Sequence, residues 1–177
     1  MEKRIYAHDT LEFVTVAAQV CVSLEQCAGR KRDEFVAEML RLLPLLYMKA
    51  ALLPKVESNG DFLPDDKVTE ADYDFIRNSV WEIMGDADEY ETLAIAETGA
   101  EEMRWQSVSE GLADTYQALR NFVAVYQERI EDCMHDALWA VMDAFELYWG
   151  QAVLDTLRRL HQLRYTLNAL DDEDVLQ

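Results

Sequence analysis

Two pairs of carboxylates stand out by their spacing. Glu128 and Glu131 lie three residues apart, and so do Asp143 and Glu146. Residues three apart on a helix share a face. Carboxylates paired in this way on facing helices can hold Mg²⁺ and set a water against a phosphorus atom. The chemistry would be that of a divalent-metal-dependent hydrolase of nucleotides or other phosphate compounds. Glu128, Glu131, Asp143 and Glu146 would be its ligands and Mg²⁺ its only cofactor. The two pairs fall on nearly continuous helix, however, and one helix cannot wrap its own residues around an ion. Acids such as Glu110 or Asp114 would have to supply the opposing side. The simpler reading of residues 128–136 is a solvated, charged helix face.

The all-helical nucleotide pyrophosphohydrolases use a related order, Glu-x-x-Glu then Glu-x-x-Asp, and here the second pair is inverted. Asp143 and Glu146 also interrupt a long apolar run, residues 137–149. A helix apolar on nearly all sides belongs at the centre of a fold, where a carboxylate needs a partner. The expectation is a buried ion pair with Arg77, Arg104, Arg120 or Arg158. Three further patterns are weaker. Arg158, His161 and Arg164 share a face and can grip a phosphate or a partner's acid, or simply neutralise nearby acids. Asp132 and His135 form half of a di-iron motif whose second half is missing. Asp86-Ala87-Asp88 opens like a calcium loop with Glu97 at its twelfth position, but Glu91 stands where the turn needs glycine.

The elements that would position these groups are helices. Asp9 with Glu12, Thr69 with Asp72, and Ser107 with Glu110 are helix-start signatures. Apolar residues then recur at helical spacing over residues 10–28, 32–52, 69–84, 107–130 and 133–168. Pro44 inside the second segment predicts a kink. Gly150 predicts an interruption of the last segment, or the close approach of another helix. Residues 55–67 read as a loop. Residues 86–106 read as short acidic turns with a loop around Gly99. The fold expected is all-α, a single-domain bundle of five to six helices over residues 1–170, with an acidic tail at 171–177.

Four stretches together carry a family resemblance. They are Leu42-Leu43-Pro44-Leu45-Leu46-Tyr47-Met48-Lys49-Ala50, Val68-Thr69-Glu70-Ala71-Asp72-Tyr73, Leu112-Ala113-Asp114-Thr115-Tyr116-Gln117 and Tyr148-Trp149-Gly150-Gln151. The chain resembles an uncharacterised family of acidic, all-helical bacterial proteins, a domain of unknown function. The resemblance implies a helical fold in a bacterial cytoplasm, no activity, and no residue with an assigned role.

Charge narrows the partners. The 177 residues hold 16 Lys and Arg against 35 Asp and Glu, a net charge of −19. Residues 54–106 alone carry fifteen acids against four bases. Such a surface repels phosphate backbones and anionic membranes, and it suits cationic partners. Three cysteines without a pairing or zinc pattern, Cys21, Cys27 and Cys133, read as reduced cytoplasmic thiols. No run of about 18 apolar residues is present to span a membrane. There is no glycine-rich phosphate loop and no nucleophile signature. The function expected is therefore a non-catalytic, acidic helical interaction module that binds a protein partner or a second copy of itself, without a cofactor.

Overall fold

In the computed structural model, which describes residues 4–58, 60 and 66–167, the apolar periodicity becomes six α-helices. They are α1 (His8–Glu25), α2 (Arg32–Ala51), α3 (Glu70–Met84), α4 (Val108–Glu128), α5 (Glu131–Ala144) and α6 (Gly150–His161). The start of α3 is fixed by a reciprocal box. Thr69 Oγ1 accepts from the Asp72 amide at 3.2 Å, and Asp72 Oδ2 accepts from the Thr69 amide at 3.0 Å. Each bond satisfies a main-chain donor that the first helical turn leaves free. Ser107 caps α4 by accepting from the Glu110 amide. The Asp9–Glu12 signature acts differently: Ala7 precedes the first turn of α1, and Glu12 instead binds Lys49 Nζ of α2 at 2.6 Å.

α4 is the axis of the body and packs against α1, α3, α5 and α6, while α2 closes the far side against α1 and α6. Phe13, Phe35, Met39, Leu112, Leu119, Leu138 and Trp149 are fully buried between them. Burial of each such side chain contributes about 1.5–3 kcal/mol. Aromatic rings tie α1, α4 and the α5–α6 junction together. Phe13 lies 5.3 Å from Phe122 and 6.3 Å from Trp149. α2 runs unbroken through Pro44, whose ring lies on the exposed side of the helix. There, water can take the carbonyl that a missing proline N–H leaves without its helical partner.

Between α5 and α6 the backbone widens into one π-helical turn, Phe145–Trp149. A Cβ on Gly150 would come within 2.5 Å of the Phe145 carbonyl oxygen and 2.9 Å of the Phe145 ring. The glycine thus serves packing rather than a break. The widened turn rotates Leu147 and Tyr148 into solvent and keeps Trp149 inside, where its indole N–H donates to the Val141 carbonyl at 3.0 Å.

The acidic segment departs from the all-helical expectation. Within residues 86–106 the expected loop around Gly99 is present at 96–100, but it joins two strands that the expectation lacked. The strands, β1 (Glu89–Ile95) and β2 (Glu101–Ser107), form an antiparallel hairpin paired from Glu89↔Ser107 to Ile95↔Glu101. The acidic stretch 171–177 lies outside the described residues. No helix among the described residues is long and apolar enough to cross a membrane.

Candidate functional site

The acids singled out by spacing do not form one site. Glu128, Glu131, Asp143 and Glu146 are all exposed. Glu128 pairs with Lys67 Nζ at 2.9 Å, and Glu146 faces Lys55 Nζ at 3.8 Å. The buried ion pair expected at Asp143 and Glu146 is therefore not formed: Asp143 lies on the exposed side of α5, and Glu146 lies in the π-helical turn with its side chain in solvent. Three of the four arginines proposed as its partners are engaged elsewhere: Arg77 with Asp74, Arg120 with Glu25, and Arg104 with Glu102. Asp114 accepts from the Tyr73 hydroxyl at 2.8 Å. Among the described residues, no three His, Cys, Asp or Glu side chains are grouped to hold a metal ion. The calcium-like acids are also dispersed. Asp86 meets Arg32 at 2.9 Å, Asp88 is buried, and Glu97 lies at the tip of the hairpin.

Arg158, His161 and Arg164 are each exposed at or just beyond the end of α6. Beside them is a cavity of about 480 Å³ lined by Arg32, Asp33, Val36, Leu163, Arg164 and Tyr165. Its two guanidinium groups are engaged with the fold. Arg32 donates to the Ile83 carbonyl and to Asp86, and Arg164 donates to the Asp33 carbonyl.

The most organised polar cluster instead anchors the hairpin. Asp88 is only 2% exposed. It accepts from the Ser109 amide at 2.8 Å and from the Ser109 hydroxyl at 2.7 Å. The carboxylate thus sits at the positive end of α4 and satisfies one of its free amides. On the other side, Arg159 of α6 donates twice to the Ala87 carbonyl, at 3.2 and 3.1 Å, and its guanidinium lies 6.0 Å from the Tyr90 ring centre. Tyr90 and Thr92 point into this junction and are buried. Burial, with the Asp155 charge nearby, pushes the Tyr90 hydroxyl up to about 12, so it stays a neutral donor toward Gln106. Gly99, at φ +80°, closes the tip through a tight turn that an L side chain would strain.

With Tyr90 and Thr92 turned inward, strand alternation turns their neighbours outward. Leu93 is 50% exposed, Ile95 74%, Met103 59% and Trp105 70%. The register places them together: Leu93 opposite Met103, Trp105 opposite Glu91, and Ile95 opposite Glu101. All lie on one face of the hairpin, with Glu89, Glu91 and Glu101 around them. At the base of the same face, Glu89 and Ser107 line a cavity of about 370 Å³ with Trp81 and Arg77 of α3. Trp81 is itself exposed. Large contiguous apolar patches are rare on monomeric surfaces and mark sites of association. Sequence reasoning missed this face. Its signal was the alternation Tyr90, Thr92, Ala94 against Glu91, Leu93, Ile95, which the density of acids masked.

Residues 4–166 match the model of a family described as a domain of unknown function (DUF5063). Among solved structures, the crystal structure of protein BF1032 from Bacteroides fragilis, a structural genomics target, is similar over 93% of this chain and 100% of that one. The two are 38% identical and superpose with a TM-score of 0.83. No curated protein matches.

Proposed function

Because the chain belongs to the family of the domain of unknown function DUF5063, whose description names no activity, we propose a function from geometry: it is a protein-interaction module whose hairpin docks an apolar, positively charged segment of another protein. The observation that carries this reading is the face built by Leu93, Ile95, Met103 and Trp105, which stays open while smaller residues beside it are buried. Its occupant is set by charge. Residues 88–107 hold six acids and one base, so a partner gains by bringing Lys or Arg to the rim and apolar side chains to the centre. A second copy of this chain would bring Glu89, Glu91 and Glu101 against their own equivalents or other acids, since each copy carries −19. The chain's own Asp171-Asp172-Glu173-Asp174 stretch has the wrong sign for this face as well.

Calorimetric titration of the full chain with an alternating lysine–valine octapeptide at physiological salt tests the reading. Binding is expected to fall at least tenfold in Trp105→Ser, and at least tenfold for a lysine–serine octapeptide of equal charge. Equal binding of both peptides would mean non-specific attraction by net charge and would remove the hairpin from the account. A concentration-dependent dimer, measured by light scattering, that Trp105→Ser abolishes would instead assign the face to a second copy of this chain and overturn the cationic partner.

A further inference from the structure

We infer that the outer edge of β1 is a main-chain docking site, which takes the partner segment as a third strand of the sheet. This inference rests on the docking reading above and specifies how the segment is held.

The hydrogen-bond phase of the hairpin carries it. The Ala96 amide donates to the Ala100 carbonyl at 2.8 Å, and the Val108 amide donates to the Asp88 carbonyl at 3.0 Å. In an antiparallel pair, hydrogen-bonded rungs alternate with rungs that are not bonded. With the observed register, the bonded rungs are therefore those of Asp88, Tyr90, Thr92, Ala94 and Ala96. The N–H and C=O groups of Glu89, Glu91, Leu93 and Ile95 point away from β2. Among the described residues the sheet has only two strands, so no strand meets them. These four residues also project their side chains onto the open face. Main-chain capacity and side-chain surface thus coincide on the same positions.

The two edges of the sheet are not equivalent. Natural edge strands are protected by charges, prolines or bulges. β2 carries Glu101, Glu102 and Arg104 along its outer half. β1 carries no charge from Thr92 to Ala96, and its pairing with β2 runs without a bulge from Glu89 to Ile95. Charge returns only at Glu89 and Glu91, near the root. An added strand of alternating character lays its apolar residues on the open face beside Leu93 and Ile95 and turns its basic ones to the other side, within the field of the hairpin's acids. Edge addition of this kind draws affinity from main-chain bonds and specificity from alternate side chains. The root is rigid enough to serve as a template, because Asp88, Arg159 and Tyr90 fix β1 to two helices.

N-methylation of the probe separates main-chain docking from side-chain docking. A strand uses alternate amides to face its neighbour. Two lysine–valine octapeptides, N-methylated at odd or at even positions, keep the same side chains and charge. For the full chain, one isomer is expected to lose at least tenfold in affinity while the other stays within threefold of the unmodified peptide. Amide exchange at Leu93 and Ile95, followed by NMR, is expected to slow on saturation with the unmodified peptide. Equal binding by both isomers, or unchanged exchange at both amides, overturns strand addition and leaves side-chain docking on the face standing. Failure of the unmodified peptide to bind at all overturns the docking reading and this inference with it.

Discussion

The helical body and the hairpin use the same kinds of residue in opposite ways. In the body, Phe13, Leu119 and Trp149 turn inward and acids such as Asp143 turn out. In the hairpin, Leu93, Ile95 and Trp105 turn out, while an aspartate, a threonine and a tyrosine, Asp88, Thr92 and Tyr90, turn in. The buried aspartate at the hairpin root is bonded, as the rule for buried polar groups requires: Asp88 receives two bonds from Ser109. The difference teaches where stability and function separate. Apolar side chains that face the bundle hold it together. Among the described residues, those on the hairpin's open face stay in solvent, so their place on the surface calls for another reason.

Truncation at the centre of the body gives the largest expected effect. Trp149→Ala removes the ring that packs on Phe13 and Phe145 together with the bond to Val141. A loss of about 3–5 kcal/mol is expected in urea unfolding. If the loss were as small as that of a surface change, the contrast between the two regions would fail.

Cutting the root tests whether the hairpin depends on the body. Asp88→Ala leaves the Ser109 amide and hydroxyl without their acceptor, at a cost of about 1.5–3 kcal/mol. Amide exchange along residues 89–107 is expected to speed up more than exchange along α1 and α2. Uniform acceleration would show that hairpin and helices unfold as one unit.

On the open face, Trp105→Ser is expected to change stability by less than about 0.5 kcal/mol. A drop comparable with that of Trp149→Ala would show that the face packs against something within the chain and would make its exposure misleading.

The smallest effect concerns an ion pair within the body, and it disappears only in acid. Glu38 bridges Ser23 of α1 and Arg30, both at 2.5 Å. Burial raises its carboxyl, but the bonds from Arg30 and Ser23 outweigh burial and hold it below the ordinary carboxylate range. A group lowered in the folded state adds stability above its unfolded value, about 4.3 for glutamate, and loses it as pH falls through the folded value. The stability gap between the native chain and Glu38→Gln is therefore expected to be present at neutral pH and to close in acid. A gap that stays constant down to pH ~3 would remove the ionic contribution.

Several helix starts were legible because their causes are local. Thr69 needs only Asp72, and Ser107 needs only Glu110, each three residues away. Pro44 was legible as a special position inside α2; that its ring faces water while the helix runs on is set by how α2 packs. The candidate carboxylates were misread because residues 137–149 are apolar enough to suggest burial on every side. The widened turn at Phe145–Trp149 leaves Glu146, Leu147 and Tyr148 in solvent, and nothing local announces it.

From its residues alone, the chain determined that helices would dominate, where several would begin, and that the surface would be strongly acidic. These follow from periodicity, short-range capping and counted charge, none of which needs distant contacts. Tertiary structure decided the rest. It placed α6 so that Arg159 meets Ala87 and Tyr90, and it placed the amide end of α4 so that Ser109 meets Asp88. Those partners, 72 and 21 residues apart in sequence, select which side of the hairpin is covered. Because strand side chains alternate strictly, covering Tyr90 and Thr92 leaves Leu93, Ile95, Met103 and Trp105 in water.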